Sequence, residues 1–299
     1  MKLEEFDSHR RTVHTDAGEL GYADVGQGRT ALFVHGLGTN GYLWRNVIDL
    51  VKDERRCVAL DLPLHGHSRS VRADLDLSLS SLADVIEQFC AALGLTEVDL
   101  VANDTGAAIS QIFASRHPER LATFTLTNCE ADDNIPNEAF RNTVEVAKRG
   151  ELAPYAVQMF ENLEMARSGE RPITANYQYP DEVTDETLRS YLGPVCATLE
   201  DARRFERLLS SLDPADLRGA VPGLRRLTVP TLIVWGTGDF HFELEWAHWL
   251  RDTIPGATEV VEIEGGKLYF PDERAADLVP HLRRHWSAHP PQPAAVAAG

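Results

Sequence analysis

Asp104 stands among small residues, Ala102-Asn103-Asp104-Thr105-Gly106, where an apolar run ends and a helix-like pattern begins. A carboxylate there has three occupations open to it. It can cap the helix by accepting main-chain N–H bonds. It can act as a nucleophile. Attack on an ester carbonyl gives a reactive anhydride, a poor route to hydrolysis, whereas attack on a saturated carbon gives an alkyl ester that water can then cleave. Buried, with its pKa raised toward neutrality, it can instead move protons as a general acid or base. Other residues able to do chemistry are His35 in His35-Gly36-Leu37-Gly38, Glu130 with Asp132 and Asp133, Asp239, His241 two residues later, and Lys267 after two glycines. No metal set is apparent, since His65 and His67 form a lone H-x-H pair without further ligands nearby. No glycine-rich phosphate loop follows a strand. No cofactor is therefore expected.

The elements that must position these residues read as alternating strands and helices. Residues 20–24, 31–35, 57–62, 98–103, 121–126, 231–235 and 259–263 are short apolar or alternating runs bounded by Gly, Pro or polar turns. Near-continuous apolar strands followed by helical stretches, as in residues 98–103 and 106–117, imply a parallel sheet covered on both faces. Between residues 130 and 227 the strand signal vanishes and helical and turn patterns take over. The stretch from Ser287 is rich in Pro and Ala and is expected to be disordered.

Taken together these segments resemble the α/β-hydrolase fold superfamily, and within it the Asp-nucleophile branch of haloalkane dehalogenases and epoxide hydrolases. The resemblance implies an α/β class fold, with a mostly parallel central sheet flanked by helices and a helical lid inserted after the sixth strand. Its core would be residues 1–129 and 228–286, its lid residues 130–227, and its tail residues 287–299. His35-Gly36-Leu37-Gly38 looks like the family's H-G-x-G turn, so the Leu37 amide is half of an oxyanion hole and His35 is structural. Asp61-Leu62-Pro63-Leu64-His65-Gly66-His67-Ser68 resembles a second family loop that shapes the site from outside. Asp104 falls in the nucleophile slot of the strand–turn–helix elbow, whose sharpness demands small flanking residues. The Thr105 amide is then the second oxyanion donor. Asp239 fits the acid that orients the catalytic histidine, and Glu130 occupies the alternative acid position after the strand at 121–126. His35, Gly36, Asn103 and Trp44, the last in the dehalogenase-like Gly41-Tyr42-Leu43-Trp44-Arg45-Asn46, border the substrate.

The sequence departs from the family at two places. The base is a histidine in the loop after the last strand, where this chain reads Glu264-Gly265-Gly266-Lys267-Leu268-Tyr269. Either Lys267 or Leu268 takes the slot, and neither register supplies a histidine. General-base help is worth about 10²–10⁴ in rate, so an alkyl ester would accumulate unless another residue, His241 being the best placed, stands in. An inward Lys267 would instead pair with Asp104 or Asp239. The halide-binding Asn and Trp of dehalogenases are replaced by Leu37 and Thr105, which argues against a standard dehalogenase. Tyrosines of the lid, Tyr155, Tyr177, Tyr179 and Tyr191, keep epoxide opening available.

Composition narrows the partners. The 299 residues are 43% hydrophobic and 25% charged, in the range of ordinary folded domains. A net charge of −17 disfavours nucleic acid and anionic membranes as partners. The four cysteines are far apart, and Cys57, Cys90 and Cys129 sit in apolar runs, so they read as core residues rather than a disulfide framework. No signal peptide or membrane span is recognisable, and a cytoplasmic monomer or homodimer acting on a small molecule is expected. Three functions compete: an Asp104-nucleophile hydrolase with a displaced base, a cofactor-free lyase, isomerase or cyclase using Asp104 as acid or base, and a ligand-binding protein derived from a hydrolase.

Overall fold

The computed structural model describes residues 1–169 and 172–290. Eight strands form one sheet: β1 (Arg10–Thr15), β2 (Gly18–Val25), β3 (Thr30–Val34), β4 (Arg56–Leu60), β5 (Val98–Asn103), β6 (Leu121–Thr127), β7 (Thr231–Gly236) and β8 (Ala257–Ile263). Their spatial order is β1-β2-β4-β3-β5-β6-β7-β8. β2 runs antiparallel to β1 and β4, and every pairing from β4 to β8 is parallel. The central strands are apolar on both faces because helices cover both; Leu32, Phe33, Val34, Leu100 and Val101 are wholly buried. β1 is the strand that sequence reading missed. Its residues, RRTVHT, are mostly polar and half-exposed, and pairing with β2 rather than burial defines it.

Parallel strands need crossovers, and the helices supply them. They are α1 (Leu3–Ser8), α2 (Arg45–Val51), α3 (Leu79–Ala92), α4 (Asp104–Arg116), α5 (Glu138–Lys148), α6 (Leu152–Glu161), α7 (Leu163–Ser168), α8 (Asp185–Cys196), α9 (Leu199–Ser210), α10 (Pro214–Leu224), α11 (Leu244–Thr253), α12 (Phe270–Glu273) and α13 (Ala275–Ala288). α3, α4 and α10 pack together as one group, and α2, α12 and α13 as another. Helices α5 to α9, inserted between β6 and β7, pack mainly on one another. The region 130–227 is thus not all one unit, because α10 returns to the core. It buries Leu217 and Leu224, and Gly223 lies so close to α4 that a Cβ would sit 2.6 Å from the Ser115 Cβ. Helix α13 carries ordered chain past the Ser287 boundary to Ala288, and residues 291–299 of the expected disordered tail lie outside the described residues. Among the described residues no helix is long and apolar enough to cross a membrane. All four cysteines are buried and free.

One buried polar cluster ties the insertion to the core. Asp272 in α12 accepts from Arg45 Nη1 at 2.7 Å, Asn46 Nδ2 at 3.1 Å, Tyr177 Oη at 2.9 Å and Tyr191 Oη at 3.3 Å. Arg45 and Asn46 belong to α2, whereas Tyr177 and Tyr191 come from the insertion. The Arg45 guanidinium also lies over the Tyr42 ring, 4.2 Å from its centroid. A buried carboxylate with four donors is well satisfied, and removing it strands a buried cation. Asp272→Ala is expected to lower unfolding free energy by about 3–5 kcal/mol, and Tyr177→Phe by about 1 kcal/mol, in urea denaturation. Equal, small losses for both would show that the cluster is not a staple.

Candidate active site

The site lies at the C-terminal edge of the parallel strands, where loops after β3, β5, β6, β7 and β8 converge. Asp104 follows β5 directly and opens α4 with φ of +55°, in the left-handed region that costs a non-glycine residue about 1–2 kcal/mol. The cause is the approach of α4 to β3. A Cβ on Gly106 would lie 1.9 Å from the His35 carbonyl oxygen, and one on Gly36 would lie 2.0 Å from Asp104 Oδ2. With both Cβ atoms absent, the H-G-L-G turn and the elbow touch. The Leu37 N–H donates to Asp104 Oδ2 at 2.9 Å, and the Thr105 N–H also donates to this carboxyl.

The histidines behind this contact are scaffolding. His35 donates from Nδ1 to the Gly36 carbonyl at 2.7 Å and accepts at Nε2 from the Leu62 N–H at 2.9 Å. His65 donates to the Pro63 carbonyl and accepts from the Gly38 N–H at 3.2 Å. Burial holds both imidazoles down to about 3, so both stay neutral. Together they fix the turn so that the Leu37 amide faces Asp104.

Two further acids gather here. Glu130 is 3% exposed and accepts from the Thr105 hydroxyl at 2.6 Å through Oε1, while its Oε2 has no partner. Burial pushes its carboxyl up to about 7. Asp239 accepts from Asn128 Nδ2 at 2.9 Å and from the His241 main-chain N–H at 3.0 Å, and burial raises it to about 6. Burial raises the Asp104 carboxyl too, reinforced by the charge of Glu130 and opposed by the Leu37 and Thr105 amides. Among the described residues no group of three His, Cys, Asp or Glu side chains is placed to hold a metal ion.

Neither acid orients an imidazole. Of the two residues expected at the base position, Leu268 is buried, borders the cavity and has its carbonyl fixed by Asn103 Nδ2 at 3.1 Å. Lys267 turns away and donates to the Ala175 carbonyl at 3.1 Å, so it pairs with neither Asp104 nor Asp239. His241 does border the cavity, but Asp239 holds its main-chain amide rather than its ring. The ring sits between Asn137 Oδ1 at 3.3 Å and Asn176 Oδ1 at 2.9 Å. Both neighbours are amide oxygens, which only accept, and a neutral ring has one N–H; the shorter contact makes Nε2 the donor to Asn176 Oδ1 and leaves the lone pair on Nδ1. Burial lowers this imidazole to about 4, which keeps it neutral at pH 7.

The cavity above Asp104 has a volume of about 620 Å³. Asp104, Thr105 and Glu130 form its polar floor, and the insertion contributes apolar walls including Phe140, Met159, Ile173, Val195 and Phe205. Of the tyrosines expected near substrate, Tyr155 lines it. Tyr177 instead packs behind it on Asp272, and Tyr179 is 46% exposed at the surface. Trp44 is wholly buried against Phe33, and His35, Gly36 and Asn103 support the floor without lining it. Their placement at the substrate does not hold, because each is spent on packing or on a main-chain partner. Sequence reading missed Tyr269, which lines the cavity, shares a hydrogen bond with the Asn176 side chain and lies near Asp104. Its adjacency to the base slot was the available signal. Asn176 and Asn137, in the insertion, carried none.

Comparison with known proteins agrees with this fold. A family model described as the alpha/beta hydrolase fold matches residues 32–273. A haloalkane dehalogenase of Mesorhizobium japonicum is 29% identical over 168 residues, covering 55% of this chain and 49% of that protein. A cis-3-alkyl-4-alkyloxetan-2-one decarboxylase of Shewanella oneidensis is 24% identical over 294 residues, covering 92% and 87%. Among solved structures, a haloalkane dehalogenase from Bradyrhizobium elkani superposes with a TM-score of 0.75 at 21% identity, over 93% of this chain and 99% of that one. The epoxide hydrolase CorEH does so at 0.75 and 15%, over 93% and 98%. With the family pattern spanning most of the sheet and the elbow at its centre, the chain belongs to the α/β-hydrolase fold family, as an enzyme related in sequence to this dehalogenase and this oxetanone decarboxylase.

Proposed function

We propose that Asp104 opens a strained, apolar oxygen ring by attacking a saturated ring carbon, and that the ester so formed resolves without a histidine-activated water. The observation that carries this reading is Asp104 Oδ2 seated on the Leu37 amide in a site whose base slot holds Leu268. One anchored oxygen orients the other toward the cavity. An ester made from an alkyl halide or epoxide then waits for water that no slot residue activates.

An oxetan-2-one escapes this block. Attack at C4 breaks the ring C–O bond and leaves a carboxylate on the neighbouring carbon. Loss of CO₂ delivers its electron pair into a C=C bond and expels Asp104 as carboxylate. Alkene and CO₂ leave, and neither water nor a proton is consumed. Among the described residues the cavity lining contains no Lys or Arg, so a newly formed carboxylate is costly there and its loss as CO₂ is favoured. The similarity to an oxetan-2-one decarboxylase along 92% of this chain supports the class. Inversion at the attacked carbon followed by anti elimination turns a cis ring into a cis alkene. A second reading, epoxide hydrolysis with His241 as base, draws on the neutral imidazole in the same cavity.

Nucleophilic attack requires Asp104 to be ionised. Asp104 and Glu130 are neighbouring buried acids that titrate as a pair. Burial raises both, Asp104 the more strongly, and the reactive form of the pair is the one in which the Leu37 and Thr105 amides hold the charge on Asp104 while the shared proton sits on Glu130, whose Oε2 is free.

Two outcomes are expected. With cis-3,4-dialkyloxetan-2-ones the protein should release cis alkene and CO₂, while a matched epoxide should leave a lasting mass increase on Asp104. Asp104→Asn should abolish both. Diol release from the epoxide that His241→Ala stops would favour the second reading, and lactone turnover by Asp104→Asn would sink the first. The raised Glu130 carboxyl also links stability to pH. The folded chain keeps a proton that the unfolded chain loses between pH 4.5 and about 7. That contribution is intact below pH 4.5 and lost as pH rises through 7. Glu130→Gln should therefore unfold at higher urea than the parent at pH 8, by of order 3 kcal/mol at about 1.4 kcal/mol per pKa unit, and alongside it at pH 4.

A further inference from the structure

Two acids flank Asp104, and their surroundings differ. The Asp239 carboxylate is consumed by donors: Asn128 Nδ2, the His241 N–H, and the N–H groups of Phe240 and Phe242. It does not border the cavity. Glu130 does border it, accepts from the Thr105 hydroxyl and its own main-chain N–H, and leaves Oε2 unpartnered. Its backbone is held firmly, since Gln111 Nε2 donates to the Glu130 carbonyl at 2.7 Å. The titratable groups around it are Asp104 at the start of α4, Asp239 on the loop after β7, and the buried thiol of Cys129 beside it. None is a cation, and no Lys or Arg ion pair reaches it among the described residues. Thr105 links the two acids, giving its amide to Asp104 and its hydroxyl to Glu130.

We propose that Glu130 is the catalytic acid of this cavity, holding the proton offered to the ring oxygen as its C–O bond breaks. The assignment rests on the Asp104 reading above. It also gives Glu130 a role other than orienting a histidine, for which no ring is present. In epoxide opening, an Asp104 oxygen forms a bond to carbon, the ring C–O bond breaks, and the oxygen takes the Glu130 proton. Asp104 becomes a neutral ester and Glu130 a carboxylate, so the single negative charge moves between them. In oxetan-2-one opening the Glu130 O–H donates a hydrogen bond to the carboxylate released, and Glu130 keeps its proton when CO₂ departs. Burial, which favours the neutral carboxyl, keeps that proton in place up to about pH 7.

The test uses leaving groups that differ in their need for a proton. A terminal alkyl epoxide leaves as an alkoxide and needs one, whereas a 1-iodoalkane of equal length leaves as iodide and does not. Single-turnover alkylation of Asp104 is followed by intact mass for the parent, Glu130→Gln and Tyr269→Phe. Glu130→Gln is expected to slow the epoxide by about 10²–10⁴-fold and the iodide by less than about threefold. In the parent the epoxide rate should fall above about pH 7, a limb absent for the iodide and for Glu130→Gln. A native-like urea midpoint at pH 4 checks that the variant is folded. Equal slowing of both reagents, or a selective epoxide defect in Tyr269→Phe but not in Glu130→Gln, overturns the proposal. If the parent forms no adduct with either reagent, the Asp104 reading fails and this one with it. Adducts that form but ignore Glu130→Gln sink only the Glu130 assignment.

Discussion

The site depends on one steric contact, the approach of the β5–α4 elbow to the end of β3. Gly106 lies so near the His35 carbonyl that a methyl group would overlap it, and Gly36 lies equally near the Asp104 carboxyl. Two absent Cβ atoms therefore decide where a carboxylate and a main-chain amide meet. The positive φ of Asp104 is the local strain that this closeness requires, held by helix–sheet packing around it. The buried His35 and His65 finish the arrangement by pinning the turn from behind, each committing both ring nitrogens to main-chain partners.

Electrostatics then gives the site its character. Asp104, Glu130 and Asp239 are raised by burial, and among the described residues no cation is paired with any of them. Leu268, in the loop after β8, adds hydrocarbon to the cavity lining. Acids in apolar surroundings prefer to share and retain protons. Such a floor is suited to a neutral electrophile and to steps that do not require water to be deprotonated. The one imidazole in the cavity, His241, is held by two amides instead of a carboxylate, and so lacks the partner that would raise its basicity.

The insertion shapes the cavity, and a buried ion pair sets the insertion. Asp272 gathers Arg45 and Asn46 from the core with Tyr177 and Tyr191 from the insertion. Tyr269, on the cavity wall, packs edge-on against Tyr177 and Tyr191, with ring centroids 5.3 and 6.4 Å apart. The staple and the cavity wall are thus mechanically continuous. Tyr177 is structural here because its hydroxyl is committed to Asp272, a fact about a partner 95 residues away.

The sequence by itself determined the class of fold, seven of the eight strands, the small-residue elbow around Asp104, the H-G-L-G turn and the absence of a histidine from the loop after β8. These are local: period-2 and apolar patterning, glycine at crowded turns and motif spacing all act over a few residues. β1 escaped because an edge strand can be polar when pairing, not burial, defines it. Only the tertiary structure decided that Leu268 rather than Lys267 faces the cavity, that Asp239 grips an amide, that Glu130 keeps a free oxygen and that Tyr269 joins Tyr155 on the cavity wall while Tyr177 and Tyr179 stay off it. Each of those outcomes rests on side chains brought together from distant positions, as Asn103 meets the Leu268 carbonyl across 165 residues. No local pattern encodes such a meeting, because the free energy that selects it comes from packing the whole chain.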